Sequence, residues 1–204
     1  MTILVRHLGQ VDYQTSYQAM LDYIDERKKE PNGSSNSVRG DEFWCLQHPP
    51  VYTLGKAGKR EHILNPGNID VVETDRGGQV TYHGPGQVVV YILLKLKDYD
   101  LGPRSLVRGI EAAVIESLLG YGLKTERRDG APGVYVHGKK IAALGLRIKN
   151  GISYHGVAVN VDLDLTPFSG INPCGYAGLE LSLIHISEPT RLESKSRIPS
   201  YACK

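Results

Sequence analysis

The chain has 204 residues, of which 41% are hydrophobic and 23% are charged, so it is long enough for one globular domain with a sizeable core. Its formal net charge of +2 excludes the broad basic field of a nucleic-acid-binding protein, and its longest apolar stretch, residues 88–94, is too short to cross a bilayer. The first residues lack a secretory signal, and the three cysteines fit neither a disulfide framework nor a CxxC zinc site. We therefore expect a cytoplasmic protein with no nucleic-acid partner, no membrane partner and no metal.

The first half of the chain predicts one helix among several short strands. Residues 13–29 place Tyr17, Met20, Leu21 and Ile24 at helical spacing, which is typical of a surface helix with one buried stripe. Strands rich in β-branched and aromatic residues are predicted at 3–8, 42–47, 51–54, 69–73, 80–82 and 88–96.

The second half predicts a second helix and three more strands. Residues 104–119 carry an apolar stripe at helical spacing, formed by Leu106, Ile110, Val114 and Leu118. Strands follow at 133–136, 140–148 and 152–160.

The segment with the strongest functional pattern is RGGQVTYHGPGQ, residues 76–87. It places four of the chain's 23 glycines and one proline around Arg76 and His83. Glycine lets backbone N–H groups approach a ligand closely, while arginine supplies a fixed charge and histidine a titratable one. Because a plain hairpin needs only two turn residues, the segment favours a ligand-binding loop over a simple turn.

Cys174 is the candidate nucleophile. It follows Pro173 and precedes Gly175, an arrangement that suits a thiol presented to a substrate on a loop. A thiol attacks an acyl group only as the thiolate, so Cys174 needs a lysine or histidine nearby. Sequence spacing does not show that proximity, and a structural loop cysteine remains the alternative. Cys45 lies within an aromatic strand and is interpreted as a small buried hydrophobe.

Two residues of the strand-rich region have more than one interpretation. Period-2 alternation puts His155 on the same face as Val157 and Val159, so it is either a core histidine bonded to backbone or part of a pocket wall. Lys140 follows another lysine before a strand, a pattern that is usual for a solvated charge pair.

Five motifs in this order closely resemble the lipoyl(octanoyl) transferase family. They are RGGQVTYHGPGQ at 76–87, APGVYV at 131–136, KIAALGLR at 140–147, HGVAVN at 155–160 and NPCG at 172–175. Each motif alone is weak, but five in order are specific. The resemblance covers about residues 4–181, including HPPVYTLG at 48–55.

The resemblance implies an acyltransferase that moves an octanoyl group from acyl carrier protein to a lysine of a lipoyl domain. The acceptors it implies are the lipoyl domains of 2-oxoacid dehydrogenase acyltransferase subunits and of the glycine cleavage system. Cys174 matches the family's acyl-accepting cysteine and Lys140 its partner lysine, whose pKa would be lowered by shielding from water. The substrate-binding residues it implies are Arg76, Gly77, Gly78, Gln79, Val80, Thr81, Tyr82, His83, Ala143, Leu144, Gly145, His155, Gly156, Val157 and Ala158. No cofactor and no ATP are implied, because exchange of one thioester for another costs little and amide formation from the acyl-cysteine is downhill.

The implied fold is a mixed α/β sandwich of the α+β kind, a mixed sheet with flanking helices like that of the biotin and lipoate protein ligases. It would span residues 1–181. Residues 182–204 do not resemble the family's C-terminal segment. Because they are polar and broken by proline, we predict a non-native disordered tail there.

Three alternative functions stay open. An ATP-dependent lipoate-protein ligase activates its acid as an adenylate and needs no cysteine, so the NPCG motif counts against it. A non-catalytic module that binds lipoyl domains or a carrier protein would fit an unreactive Cys174. A thioesterase would result if water replaced the acceptor amine.

Overall fold

The protein is seen in a computed structural model that describes residues 2–28 and 40–187. The described strands are β1 (Ile3–Gln10), β2 (Asp41–Gln47), β3 (Val51–Leu54), β4 (Val71–Glu73), β5 (Val80–His83), β6 (Gln87–Leu93), β7 (Val134–Val136), β8 (Lys139–Lys149) and β9 (Ile152–Asn160). The described helices are α1 (Tyr13–Lys28), α2 (Pro103–Leu119) and the short α3 (Ile184–Ser187). Every strand and both long helices predicted from the sequence are present, with ends that differ by a few residues.

Two mixed sheets organise the molecule. The larger has the order β1-β2-β6-β9-β8-β7, in which β1 and β2 are parallel and the other neighbours are antiparallel. The smaller has the order β4-β3-β5, with β4 parallel and β5 antiparallel to β3. This α+β architecture confirms the fold class that the resemblance implies.

The two long helices cover opposite faces of the larger sheet. Helix α1 buries Met20, Tyr23 and Ile24 against the aromatic and aliphatic side chains of one face. Helix α2 buries its predicted stripe from Leu106 to Leu118 against the other face. Among the described residues, no helix combines the length and the hydropathy that crossing a bilayer requires.

The last described residues belong to the packed part of the molecule. Leu183 is 7% exposed and lies in the core of the smaller sheet. Ser182 donates its backbone N–H to the carbonyl oxygen of Lys140 at 2.9 Å, and His185 donates to that of Val161 at 3.3 Å. Ser182 and Leu183 are therefore packed, beyond the predicted boundary after residue 181, and the exposed His185 is held through its backbone. The rest of the predicted tail, 188–204, lies outside the described residues.

Candidate active site

A cavity of about 600 Å³ lies between the glycine-rich loop after β4, strands β8 and β9, and the first turns of α2. The loop is held on β8, because Gly77 donates its backbone N–H to the carbonyl oxygen of Leu146 at 3.0 Å. Every residue that the sequence predicted for the site lines this cavity except Tyr82. The structure therefore brings together segments that lie as far apart in the chain as Arg76 and Cys174.

Cys174 is presented on a single 3-10 turn, Pro173–Gly175. Its φ is 56°, in the left-handed region that a side chain other than glycine rarely adopts. The turn is anchored by Asn172, whose backbone N–H donates to the carbonyl oxygen of His62 at 2.8 Å. Such backbone strain at a half-buried thiol is a feature found at functional sites.

Lys140 lies beside this thiol. Its Nζ is 3.3 Å from the Sγ of Cys174 and 3.1 Å from the carbonyl oxygen of Pro132, and the residue is only 4% exposed. The two side chains are thus in contact although 34 positions separate them in the chain. The alternative of a solvated charge pair is wrong for Lys140, whereas Lys139 lies at the surface and pairs with Glu180 at 3.0 Å.

The charge state of Lys140 differs from the prediction. Burial acts to lower its pKa, as predicted, but the electrostatic and hydrogen-bond interactions with the Cys174 and Tyr135 side chains outweigh that effect. The pKa of Lys140 is therefore raised, and the amine is held as an ammonium next to the sulfur.

Arg76 is a buried part of the loop's own framework. Its guanidinium is 7% exposed and donates hydrogen bonds of 2.7 to 3.1 Å to Thr53, to the carbonyl oxygen of Gly77 and to that of Gln79. All of these acceptors are neutral, so the positive charge remains available to the cavity. Burial lowers the pKa of Arg76, and the side chains of Tyr13 and Cys174 act in the opposite direction.

His83 does not provide the titratable charge expected of it. Its Nδ1 lies 2.7 Å from Oε1 of Gln87 and its Nε2 lies 3.3 Å from Oγ1 of Thr53. Burial, reinforced by His48 and Arg76, lowers the pKa of His83 to about 3. The ring is therefore neutral at physiological pH.

Tyr82 is the one predicted site residue that the structure turns away from the cavity. Its ring packs 5.5 Å from those of Tyr52 and Phe168, in the core of the smaller sheet. Successive side chains of a strand point to opposite faces. The neighbours Thr81 and His83 line the cavity, whereas the Tyr82 ring lies in the core on the opposite face of the strand.

His155 lies on the face covered by α1, not on the face of Val157 as alternation predicted. Its φ of 57° breaks the regular alternation of β9. Its ring stacks on Tyr154 at 4.8 Å and on Tyr17 at 5.4 Å, and its Nε2 is 3.1 Å from Asp75. His155 is thus a buried histidine that also forms part of the cavity wall, and its partner is a carboxylate and not backbone.

Glycines allow the loop and the sheet to meet at the cavity. A Cβ on Gly145 would lie 3.0 Å from the carbonyl oxygen of Gly77, and a Cβ on Gly156 would lie 2.0 Å from that of Val90. Gly156 is therefore required by the close approach of β6 to β9.

Several residues that line the cavity were not found from the sequence. The apolar wall includes Leu106 and Val107 from α2, Val89 and Tyr91 from β6, and Tyr13 from α1. Their helical and strand patterns signal a core, and a core residue and a pocket residue have the same periodicity. In the described part of the chain, no three His, Cys, Asp or Glu side chains are grouped in a way that could hold a metal ion.

Comparison with known proteins places this geometry in context. Residues 16–185 match the lipoyl protein ligase A/B catalytic domain. The chain is 57% identical over 192 residues to a protein of Alkalilimnicola ehrlichii named octanoyltransferase, a match that covers 94% of this chain and 86% of that protein.

Two solved structures share the fold. A lipoate-protein ligase A bound with ATP superimposes with a TM-score of 0.66 at 15% identity, over 95% of this chain and 78% of that one. A bipartite lipoate protein ligase, described with its E2 lipoyl domain from Thermoplasma acidophilum, gives a TM-score of 0.62 at 18% identity, over 83% and 66% of the two chains.

Proposed function

The chain belongs to the octanoyltransferases of the lipoyl protein ligase A/B catalytic-domain family, and we propose that it carries the octanoyl group as a thioester on Cys174. The observation that supports this most is the 3.3 Å contact between the Lys140 ammonium and the Cys174 sulfur in the wall of the cavity. A cation in contact with a thiol stabilises the thiolate, the form that attacks acyl groups.

In the first half-reaction, the Cys174 sulfur attacks the carbonyl carbon of octanoyl-acyl carrier protein. The bond between that carbon and the phosphopantetheine sulfur breaks, and Lys140 gives its proton to the departing sulfur. The products are an octanoyl thioester on Cys174 and a free carrier thiol. Lys140 is then a neutral amine, ready to act as a base.

In the second half-reaction, the amine of a lipoyl-domain lysine attacks the same carbonyl carbon. Its surplus proton passes to Lys140, the bond from carbon to Cys174 sulfur breaks, and an amide forms. The starting ammonium and thiolate are restored. Since the energy of the thioester drives amide formation, the scheme needs no ATP, no metal and no other cofactor.

Arg76 would act on the negative charge that develops on the carbonyl oxygen in both steps. Its guanidinium is buried, fixed by hydrogen bonds to Thr53, Gly77 and Gln79, and lines the same cavity as Cys174. A fixed positive charge in a water-poor site costs no reorganisation during the reaction, which is why such groups stabilise transition states strongly.

The apolar part of the cavity would hold the eight-carbon chain. Leu106 and Val157 line it from the α2 side of the larger sheet and Ala158 from the α1 side, and all three side chains are buried. Burial of each methylene is worth about 0.8 kcal/mol, so binding of the chain contributes substantially to recognition of the donor.

The proposed macromolecular partners are acyl carrier protein as donor and lipoyl domains as acceptors, including those of 2-oxoacid dehydrogenase acyltransferase subunits and of the glycine cleavage system. The likeness to a lipoate ligase described with its E2 lipoyl domain supports the acceptor class. The proposed reaction takes place in the cytoplasm.

A transfer assay with two donor systems tests this function. We expect the lipoyl domain to gain one octanoyl group from octanoyl-acyl carrier protein, and none from octanoate or lipoate with ATP. Lys140→Met should slow transfer about 10²- to 10⁴-fold, the usual range for loss of a general acid and base. Lys139→Met is the matched control, because Lys139 pairs with Glu180 at the surface, and it should keep full activity.

Each alternative function has its own signature in this assay. Modification with ATP but without carrier protein would identify a lipoate ligase. Release of free octanoate without modification would identify a thioesterase. Binding of the lipoyl domain with neither product would identify a non-catalytic module, and each of these results would refute the proposal.

A further inference from the structure

A second cavity, of about 500 Å³, lies between α2 and the face formed by β2, β6 and β9. Its walls are aliphatic and aromatic side chains, among them Phe43, Ile92, Ile110 and Val159. No charged residue contributes to its lining in the described part of the chain. Apart from the hydroxyls of Ser105, Ser117 and Tyr121 its side chains are apolar, a surface that suits a hydrocarbon chain, which needs only apolar contact.

This second cavity adjoins the first. Only two of the described residues line both: Leu106, from the first turn of α2, and Val157, from the middle of β9. Both side chains are 5% exposed and lie in the same core cluster. They form the partition between the cavity that contains Cys174 and the apolar space beyond it.

We propose that the Leu106 and Val157 side chains set the acyl-chain length by closing off the second cavity, which takes the distal methylenes of longer chains when this partition is opened. This inference rests on the proposed function and adds to it the determinant of acyl-chain selection. In the wild-type protein the partition ends the space available to an acyl group on Cys174. Removal of part of it joins two apolar spaces into one continuous site.

Gly109 offers a way to fill the second cavity without touching the first. It lies on α2 in the lining of the second cavity only, and a Cβ built there meets no atom within 4 Å beyond its own helix turn. A larger side chain can therefore enter this space without a clash. Ala112, on the same helix, is exposed and lines neither cavity, so Ala112→Leu is the matched control for added bulk.

The experiment measures single-turnover loading of octanoyl, dodecanoyl and hexadecanoyl thioesters of pantetheine by intact mass. We expect Leu106→Ala to raise the ratio of dodecanoyl to octanoyl loading by about fourfold for each methylene that the opened partition newly buries. The double variant Leu106→Ala/Gly109→Leu should lose this gain while it loads octanoyl at the rate of Leu106→Ala. The double variant with Ala112→Leu should keep the gain. Val157→Ala opens the partition from the strand side and should give the same pattern if Leu106→Ala does not fold.

Calorimetric measurement of free dodecanoate binding tests the second cavity without requiring acyl transfer to Cys174. Affinity should rise in Leu106→Ala and fall again when Gly109→Leu is added. Failure of the wild-type protein to load octanoyl would refute the proposed function, while the dodecanoate measurement would still test the cavity.

Three results would overturn the inference itself. One is an unchanged chain-length ratio in a Leu106→Ala protein that still loads octanoyl. Another is a gain that survives Gly109→Leu. The third is a dimer in solution that Gly109→Leu dissociates, since a second copy of the chain would then be the occupant of the second cavity.

Discussion

Three buried histidines at and beside the cavity, His48, His83 and His155, make the folding stability sensitive to acid. Burial is the main cause that lowers the pKa of His48, His83 and His155, and the pKa of His83 falls to about 3. An unfolded histidine titrates near 6.5, so between about pH 6.5 and 3 the unfolded chain binds protons that the folded protein excludes. Stability is therefore complete above pH 6.5 and decreases as the pH falls through this window.

We predict a loss of about 1 to 3 kcal/mol in the free energy of unfolding between pH 7 and pH 4.5. Urea titrations at both values measure it. His7→Asn is the control, because His7 lies on the exposed edge strand β1 and its removal should leave the pH dependence unchanged. The Asp75 carboxyl, whose pKa is lowered from its usual value near 3.8, loses its stabilising contribution mainly below that value and so adds little to the change between pH 7 and pH 4.5. Equal stability at the two pH values would contradict the account of the buried histidines.

At the residue scale, the sequence alone does not establish that Cys174 and Lys140 are in contact. Cys174 is recognisable as a presented thiol from its proline and glycine neighbours, but Lys140 has the local pattern of a surface charge. Their contact depends on how a 3-10 turn meets the start of β8, and only the resemblance to a family anticipates it. Two of the errors, the face of His155 and the direction of the Lys140 pKa shift, have local causes: a positive φ in one case and the adjacent Cys174 and Tyr135 side chains in the other.

At the element scale, Gly156 and Gly109 test how closely helices and strands pack, because the first glycine is crowded and the second faces open space. A Cβ at Gly156 would overlap the carbonyl oxygen of Val90 at 2.0 Å, whereas a Cβ at Gly109 has open space in the middle of α2. We predict that Gly156→Ala destabilises the protein by about 1 to 3 kcal/mol or more through overpacking. We predict that Gly109→Ala stabilises it by about 0.5 to 1 kcal/mol through helix propensity.

Thermal unfolding tests whether Gly156→Ala is destabilising and Gly109→Ala is stabilising. Both substitutions add one methyl group to a glycine, so their difference isolates the surroundings. A small or absent effect of Gly156→Ala would show that β6 and β9 can separate at little cost, and the close approach of the two strands would then have no structural importance.

The elements themselves were predictable because their patterns are regular. The stripe of α2 and the strands β8 and β9 carry periodicities that burial on one face requires. The order of strands in the two sheets, and the assignment of β3, β4 and β5 to a separate sheet, depend on long-range pairing that no local pattern contains. The short 3-10 turns, including the one that carries Cys174, were also missed, since three residues are too few to show a period.

At the scale of the whole molecule, two truncations locate the end of the folded domain. Removal of residues 188–204 deletes a polar segment with few apolar groups and should leave the melting temperature unchanged. Removal of residues 182–204 also deletes Leu183, which is buried in the core of the smaller sheet, and the hydrogen bond from Ser182 to Lys140.

We predict that this longer truncation costs about 2 to 5 kcal/mol, as is usual when a large buried aliphatic side chain is lost. Because Ser182 holds the backbone of Lys140, it should also slow octanoyl transfer. If both truncations unfold the protein equally, residues 188–204 are part of the folded structure and the predicted tail is wrong. If neither has an effect, the contacts of residues 182–185 do not contribute to stability.

The central claim is that Cys174 carries the acyl group, and intact-mass analysis after incubation with octanoyl-acyl carrier protein tests it most directly. We predict one added octanoyl group, released by hydroxylamine as a thioester is, and mapped by peptide digestion to Cys174. Cys174→Ala should acquire no adduct, while Cys45→Ala, which removes a half-buried thiol whose pKa is raised by burial, should acquire it normally. An adduct that persists in Cys174→Ala, or that maps to Cys45, would contradict the account.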